Sequence, residues 1–154
     1  MGWQAILPAA SLVRAAERLL ADGFFLEDIG AVDCQEGFVV NYNFAHFERP
    51  GRARLRVIAP HEAPRVPSIA HVYHGAEWHE RETRDFHGVE FDGNPNLVPL
   101  LMDPDMADCF PLRKDPKSRA KMRDILEAGQ VLFCAPAFSL MTPDAPAEGA
   151  ADKA

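Results

Sequence analysis

The sequence predicts an α+β fold. The expected architecture is a two-layer domain with an N-terminal helix, an antiparallel sheet of three or more strands, a second helix and an extended C-terminal arm. Three observations carry it. Apolar residues recur at helical spacing in two separate stretches, Ser11–Ala21 and Ser68–Phe86. Between them, three runs alternate with the two-residue period of a strand. After Gly88 neither period persists, and Asn94-Pro95, Pro99, Asp103-Pro104 and Pro111 mark a loop-rich region. A length of 154 residues suits one domain with a core of its own.

In the first helix Leu12, Ala15, Ala16, Leu19 and Leu20 share a face, Ser11 stands at the cap position, and Asp22-Gly23 ends it. Two strand-like runs then flank Cys34-Gln35-Glu36-Gly37, the second with Phe38, Val40, Tyr42 and Phe44 on one side, so a hairpin is expected. In "RARLRVIAP" Leu55 and Val57 oppose Arg52, Arg54 and Arg56, the spacing of a third strand with one solvated face. Pro60, Pro64 and Pro67 carry the chain into a loop. Ser68 is the expected cap of the second helix, which Ile69, Val72, Tyr73 and Ala76 continue, Gly75 bends and Gly88 terminates. "VEF" fits a short strand, and Leu97 to Met102 form one apolar turn in the loop region. Residues 117–128 suit a short amphipathic helix, and the polar, proline-containing end suits an extended tail. The expected division is a main domain over 1–116 and a partner-binding or disordered segment over 117–154.

Composition narrows the function classes. A formal net charge of −7 supplies no electrostatic footprint for nucleic acid. Cys34, Cys109 and Cys134 are scattered, so iron–sulfur and cysteine-rich zinc sites lack clustered ligands, and a disulfide framework is not expected. No GxGxxG, phosphate loop or GxSxG occurs. The N-terminus has no basic lead before its apolar part, and the longest apolar run, Val131–Met141, contains Pro136 and is short for a membrane span. The chain is therefore expected to be cytosolic, with any membrane association made through partners.

Chemistry concentrates in "EWHERETRDFHGVEF", Glu77–Phe91. On a helix, Glu77–Arg81, Glu80–Arg84 and Arg81–Asp85 are opposite charges four residues apart, with Arg81 as a shared hub. The plainest meaning is a solvated face whose pairs contribute about 0.3–0.5 kcal/mol each. A second is a metal site from His71, His74, His79 and His87 with the neighbouring glutamates, but HExxH is absent. A third is acid–base catalysis by His79, Glu80 and Glu82, although Glu80 and Glu82, two apart, diverge on a helix.

"WHERETRDFHGVEFDGNPNL" resembles the hallmark segment of the C-type, 30-kilodalton subunit of respiratory complex I (NADH–quinone oxidoreductase). Glu80, Arg81, Glu82, Asp85, Gly88 and Pro95 stand at the family's motif positions. "FPLRKD", Phe110–Asp115, resembles its second hallmark, which here comprises Pro111, Leu112, Arg113, Lys114 and Asp115. The resemblance covers roughly Ser11 to Asp115. There are departures: Arg84 stands where an aromatic is usual, His87 where phenylalanine is, Asn94 in place of histidine before Pro95, and Pro116 where an aromatic is common. The family's longer tail is missing or replaced by 117–154. This pattern fits a divergent member.

The resemblance implies a non-catalytic peripheral-arm subunit of a membrane-associated oxidoreductase that passes electrons from NADH or another donor to quinone and couples this to proton translocation. It implies no cofactor in this chain, with iron–sulfur clusters and any flavin in partner subunits. The implied partners are a large hydrogenase-like subunit of the D type and a cluster-bearing subunit of the B type, at the cytoplasmic face of the membrane. The named motif residues would then serve structure and docking. Glu80, Arg81, Glu82 and Asp85 would form one half-buried ionic network reaching Arg113 and Lys114 or groups on the partner. The equivalent subunit of a membrane-bound nickel–iron hydrogenase or formate hydrogenlyase is the alternative within this class; a histidine-dependent metalloenzyme is the alternative outside it. The sequence leaves the donor open among NADH, ferredoxin, a deazaflavin carrier and hydrogen.

Overall fold

The computed structural model describes residues 3–106, 108–125 and 131–133, with Trp3 and 131–133 described by their backbone alone. The elements run β1 (Trp3–Leu7), α1 (Leu12–Ala21), β2 (Phe25–Cys34), β3 (Gly37–Ala45), β4 (Arg52–Ala59), β5 (Arg65–Pro67), α2 (Ala76–His87), β6 (Glu90–Asp92), α3 (Met122–Ile125) and β7 (Val131–Phe133). The main sheet has the order β2-β3-β4-β1-β7. Its β2-β3-β4 part is the expected antiparallel meander; β1 joins β4 in parallel, and β7 joins β1 in parallel. The α+β two-layer expectation holds, with two parallel strands added that local pattern did not announce. In β1, Gln4, Ala5, Ile6 and Leu7 are all buried. A strand covered on both faces has no alternation to detect.

The inner face of the sheet carries Phe38, Val40, Tyr42 and Phe44 from β3 and Ala53, Leu55, Val57 and Ala59 from β4. Helix α1 closes on it through Leu12, Ala16 and Leu19. Ser11 precedes that helix as expected, but its side chain makes no capping bond. Tyr73 packs beside Phe44 at 5.3 Å and donates to the carbonyl of Phe24 at 3.0 Å.

The outer face is not a solvated arginine stripe. Arg54 donates to Asn43 Oδ1 at 2.7 Å and Arg56 to Asn41 Oδ1 at 2.9 Å, and Arg56 is buried. Arg52, at the start of the strand, is an exposed ion-pair partner, bonded to Glu27 at 2.6 Å. Cross-strand register puts each asparagine directly opposite its arginine. At the other end of the same face, Cys34, Val39 and Met122 form a small apolar cluster. The last expected helix is therefore shorter than 117–128. Residues 116–118 make a 3-10 turn, Ala120 bridges to Cys34, and the helix begins at Met122, whose N–H donates to Glu36 Oε2 at 3.0 Å. Residues 126–128 lie outside the described residues.

The tight Gln35-Glu36 turn depends on Gly37. Its φ is +149°, and a Cβ there would lie 2.6 Å from the carbonyl oxygen of Ala59. Gly37→Ala is expected to lower stability by about 1–3 kcal/mol, read as a lower urea midpoint with unchanged slope. An unshifted midpoint would show that the hairpin and β4 do not meet this closely.

Candidate functional site

The second helix begins later than its sequence pattern suggests. It starts at Ala76 rather than Ser68, with Gly75 before it and Gly88 in the left-handed region after it. The preceding segment is committed elsewhere: Arg65–Pro67 pairs with Glu90–Asp92 in a two-stranded parallel sheet. The Ser68 hydroxyl accepts from Ala70 N–H at 3.1 Å, and Val72 and Tyr73 N–H both donate to Ile69 O. These turns compete with helix propagation.

What α2 buries is unusual. Apart from Ala76, its buried side chains are Glu80, Arg81, Thr83, Asp85 and His87. None of the i,i+4 charge pairs suggested by sequence forms among the described residues. Glu80, Arg81 and Asp85 are each turned toward a loop.

Glu80 is 0% exposed and sits in a cage of three donors. Its Oε2 accepts from Ser68 Oγ at 2.6 Å and Asn94 Nδ2 at 2.7 Å, and its Oε1 from Ile69 N–H at 2.8 Å. Burial raises its carboxyl above the usual range despite those bonds, which favour the ionised form. The carboxylate thus ties the chain before α2 to the chain after β6.

Arg81 and Asp85 share one target, the 98–102 loop, rather than each other. Arg81 donates through Nε to Val98 O and through a terminal nitrogen to Pro99 O, both at 3.0 Å. Asp85 Oδ2 accepts from the N–H groups of Leu100, Leu101 and Met102 at 2.8, 2.7 and 3.0 Å. The cation takes the carbonyl side of the loop and the anion takes its amide side. Burial pushes the Asp85 carboxyl up, but the three backbone bonds and the nearby Arg84 outweigh it, so it lies below its ordinary value. Arg84 itself faces Glu90 at 3.4 Å.

The second motif is fastened at the end of α2. Leu112 N–H donates to Phe86 O at 3.1 Å, and Arg113 Nε donates to His87 O at 2.7 Å. The Arg113 guanidinium lies 4.3 Å from the Phe110 ring centre and 5.4 Å from that of Phe38. Gly88 makes room for this stack: its φ is +70°, and a Cβ would come within 2.8 Å of the Phe110 ring. Lys114 contributes its backbone, which donates to Asp33 Oδ2 at 2.8 Å. Asp33 also faces His61 at 2.8 Å and Arg119 at 3.0 Å. Burial raises the Asp33 carboxyl, and Lys114, His61 and Arg119 together bring it below its ordinary value. The expected single network is thus a correction: it is three separate carboxylate hubs, and Arg113 and Lys114 reach none of Glu80, Arg81, Glu82 or Asp85.

Glu82 is half-buried, and its carboxylate bonds to no described residue. Pro95, Pro111 and Asp115 are exposed. The histidines do not converge. His71 and His74 are exposed, His79 lies 3.7 Å from Asp28, and His87 is buried edge-on to Phe38. Among the described residues no three potential ligands come together. Burial, with Glu36 and Asp33 nearby, pushes the Cys34 thiol to about 11, away from the thiolate form. Sequence reasoning missed Asp33 and named Ser68 as a cap and Asn94 as a motif departure without foreseeing that both bond to Glu80. The only local signal was an aspartate inside the apolar "AVDC" run.

Residues 5–122 match the family described as "Respiratory-chain NADH dehydrogenase, 30 Kd subunit". The chain is 39% identical over 117 residues to the C-type subunit of the NADH-quinone oxidoreductase of Chloroherpeton thalassium, covering 75% of this chain and 46% of that one. It is 42% identical over 83 residues to the C/D-type subunit of the NADH-quinone oxidoreductase of Methylococcus capsulatus, covering 54% of this chain and 14% of that one. The chain thus spans less than half the length of these curated relatives. A trypsin-resistant fragment of Nqo5 superposes with a TM-score of 0.54 at 30% identity, covering 60% of this chain and 80% of that one.

Removing the loop's acceptor is expected to be costly. Asp85→Ala should destabilise the chain by about 3 kcal/mol and open residues 98–106 to limited proteolysis; protection equal to wild type would show that the loop is held by other means. The carboxylates also set a pH profile. Asp33 and Asp85 have folded values below their unfolded ones, so their contribution is complete above the unfolded value near pH 4 and is lost as pH falls through the folded value. Glu80, raised by burial, acts with the opposite sign and favours the fold as pH drops through its folded value. Buried His87, held below its ordinary value by desolvation, opposes Glu80 by costing stability as pH falls through its unfolded value. Denaturation midpoints should therefore change little from neutral to mildly acidic pH and then fall. Glu80→Gln should make the loss begin at higher pH and His87→Gln should delay it; a profile unmoved by either change would assign it to other groups.

Proposed function

This chain belongs to the family of the 30 Kd subunit of respiratory-chain NADH dehydrogenase, and from that membership we propose that it is a non-catalytic peripheral-arm subunit of a membrane-associated donor–quinone oxidoreductase. In this role it carries no redox group; iron–sulfur clusters and any flavin reside in neighbouring subunits. It docks on a large hydrogenase-like subunit of the D type and helps hold a cluster-bearing B-type subunit in register, at the cytoplasmic face of a membrane whose proton translocation the assembled complex drives. No described helix is long and apolar enough to cross a membrane, which suits attachment through the complex.

One observation carries this reading beyond the family match. The hallmark residues Glu80, Arg81 and Asp85 direct hydrogen bonds to backbone and side chains of this same chain, and the one Asp85 oxygen left without a partner is buried rather than offered to a cleft. A general acid, base or nucleophile needs a polar atom offered to a substrate. Here the motif shapes loops, which is what a docking subunit requires. The Methylococcus capsulatus relative bears the C and D designations together on one chain, which supports a D-type partner for this one.

Affinity purification of the full chain from the native membrane fraction should recover the D-type and B-type subunits. Arg81→Ala should reduce their recovery severalfold, because Val98 and Pro99 lose their anchor, while turnover per assembled complex stays at the wild-type level. Normal assembly with slowed turnover would overturn the docking role, as would a metal or flavin held by this chain alone.

A further inference from the structure

Seven large apolar side chains among the described residues are exposed: Leu20, Phe47, Trp78, Val98, Leu101, Met106 and Leu112. Five of them, Trp78 to Leu112 in chain order, belong to α2 or to the segments its polar groups pin. Trp78 is 62% exposed, and the Arg81 guanidinium sits 5.9 Å from its ring centre. That same guanidinium holds Val98 and Pro99, and Asp85 holds Leu101, itself 61% exposed. Leu112 hangs from Phe86 O at the far end of the helix. Met106 lies in the loop between those two anchors. Five of the seven are thus carried by one helix and the two loops it anchors.

Glu82 lies on this face. It stands one turn from Trp78 and one turn from Phe86. It is half-buried, and its carboxylate has no partner among the described residues. An unpaired carboxylate inside an apolar surface is costly once water is excluded, unless a cation meets it.

We propose that the Trp78–Glu82–Leu101–Leu112 face is the surface by which this chain docks, and that its occupant is an apolar segment of the large partner subunit bearing an arginine or lysine that pairs with Glu82. The inference rests on the subunit reading above and adds the face and the chemistry of its partner. Charge complementarity decides among occupants. The chain's own end, residues 134–154, contains Asp144, Glu148 and Asp152 against Lys153, so it brings acid toward Glu82. It also follows β7, on the sheet edge opposite β2, the strand on which α2 packs. A second copy brings another net charge of −7. A basic, apolar partner segment meets both needs, with Trp78 and Arg81 as the kind of centre on which interface energy concentrates.

The test uses the full chain in its native membranes. A photo-crosslinking residue replaces Leu101 in one variant and Phe47, on the β3–β4 hairpin and outside the proposed face, in another. The expected result is an adduct from position 101 to an apolar, arginine- or lysine-bearing stretch of the D-type subunit, and none to it from position 47. Glu82→Arg should lower recovery of that subunit about tenfold or more, with an unchanged melting temperature of the isolated chain, and Glu82→Gln should lower it less. Changing the crosslinked cation to glutamate should restore assembly with Glu82→Arg. An adduct to residues 134–154, to a second copy or to a stretch without a cation would overturn the proposal. So would wild-type recovery with Glu82→Arg, or position 101 failing to crosslink while the wild-type complex still co-purifies. Failure of the wild-type chain to co-purify with any large subunit would instead overturn the subunit reading itself.

Discussion

The structure depends on a helix that buries its charges. Nothing in α2 but Ala76 is a buried aliphatic group; its inward groups are a glutamate, an arginine, a threonine, an aspartate and a histidine. Each buried polar atom needs a partner, because an unmet one forfeits its hydration. The sheet offers few: Thr83 reaches the carbonyl of Ile29 at 3.3 Å. Much of the remaining demand is met by loop backbone, although Asp85 Oδ1 stays buried without a partner, and this fixes loops that have no core of their own. Residues 98–102 are shaped by a guanidinium on their carbonyls and a carboxylate on their amides. Loop geometry and helix burial are one problem with one solution.

The same logic repeats at the edges of the helix. Glu80 holds Ile69 before it and Asn94 after it. Gly88 turns the chain where Arg113 must pass, and Arg113 in turn donates to the His87 carbonyl at the end of the helix. Asp33, at the end of β2, collects His61 from one segment and Lys114 and Arg119 from another. A buried carboxylate that accepts from amides of distant segments acts as a staple. It adds specificity of arrangement more than stability, since its own desolvation offsets much of the gain.

Such an arrangement suits a scaffold. Glu80, Arg81 and Asp85 bond to the chain itself, while Glu82, on the same helix, bonds to no described residue. That division separates the task of holding a surface in shape from the task of meeting a partner. It also places the half-open tasks on rigidly held loops, which lowers the ordering cost of association.

Much of this was legible in the sequence, and the limits are specific. Alternation placed β2, β3 and β4 because each has one covered face; α1 followed from its apolar stripe, and the two hallmark segments announced the family. β1 escaped because a strand buried on both faces carries no period. The start of α2 was misplaced because Ser68, a good cap by itself, is claimed by Glu80 twelve residues on. The charge pairs written along α2 by spacing do not form, since spacing reports only which groups lie close on one helix. Which partner a buried charge takes is set by what else competes for it, and here the competitors are backbone amides and carbonyls of loops remote in sequence. By itself the sequence determined the element types and the family; the tertiary structure alone decided the bonding of Glu80, Arg81, Asp85 and Asp33, because desolvation acts on groups brought together in space.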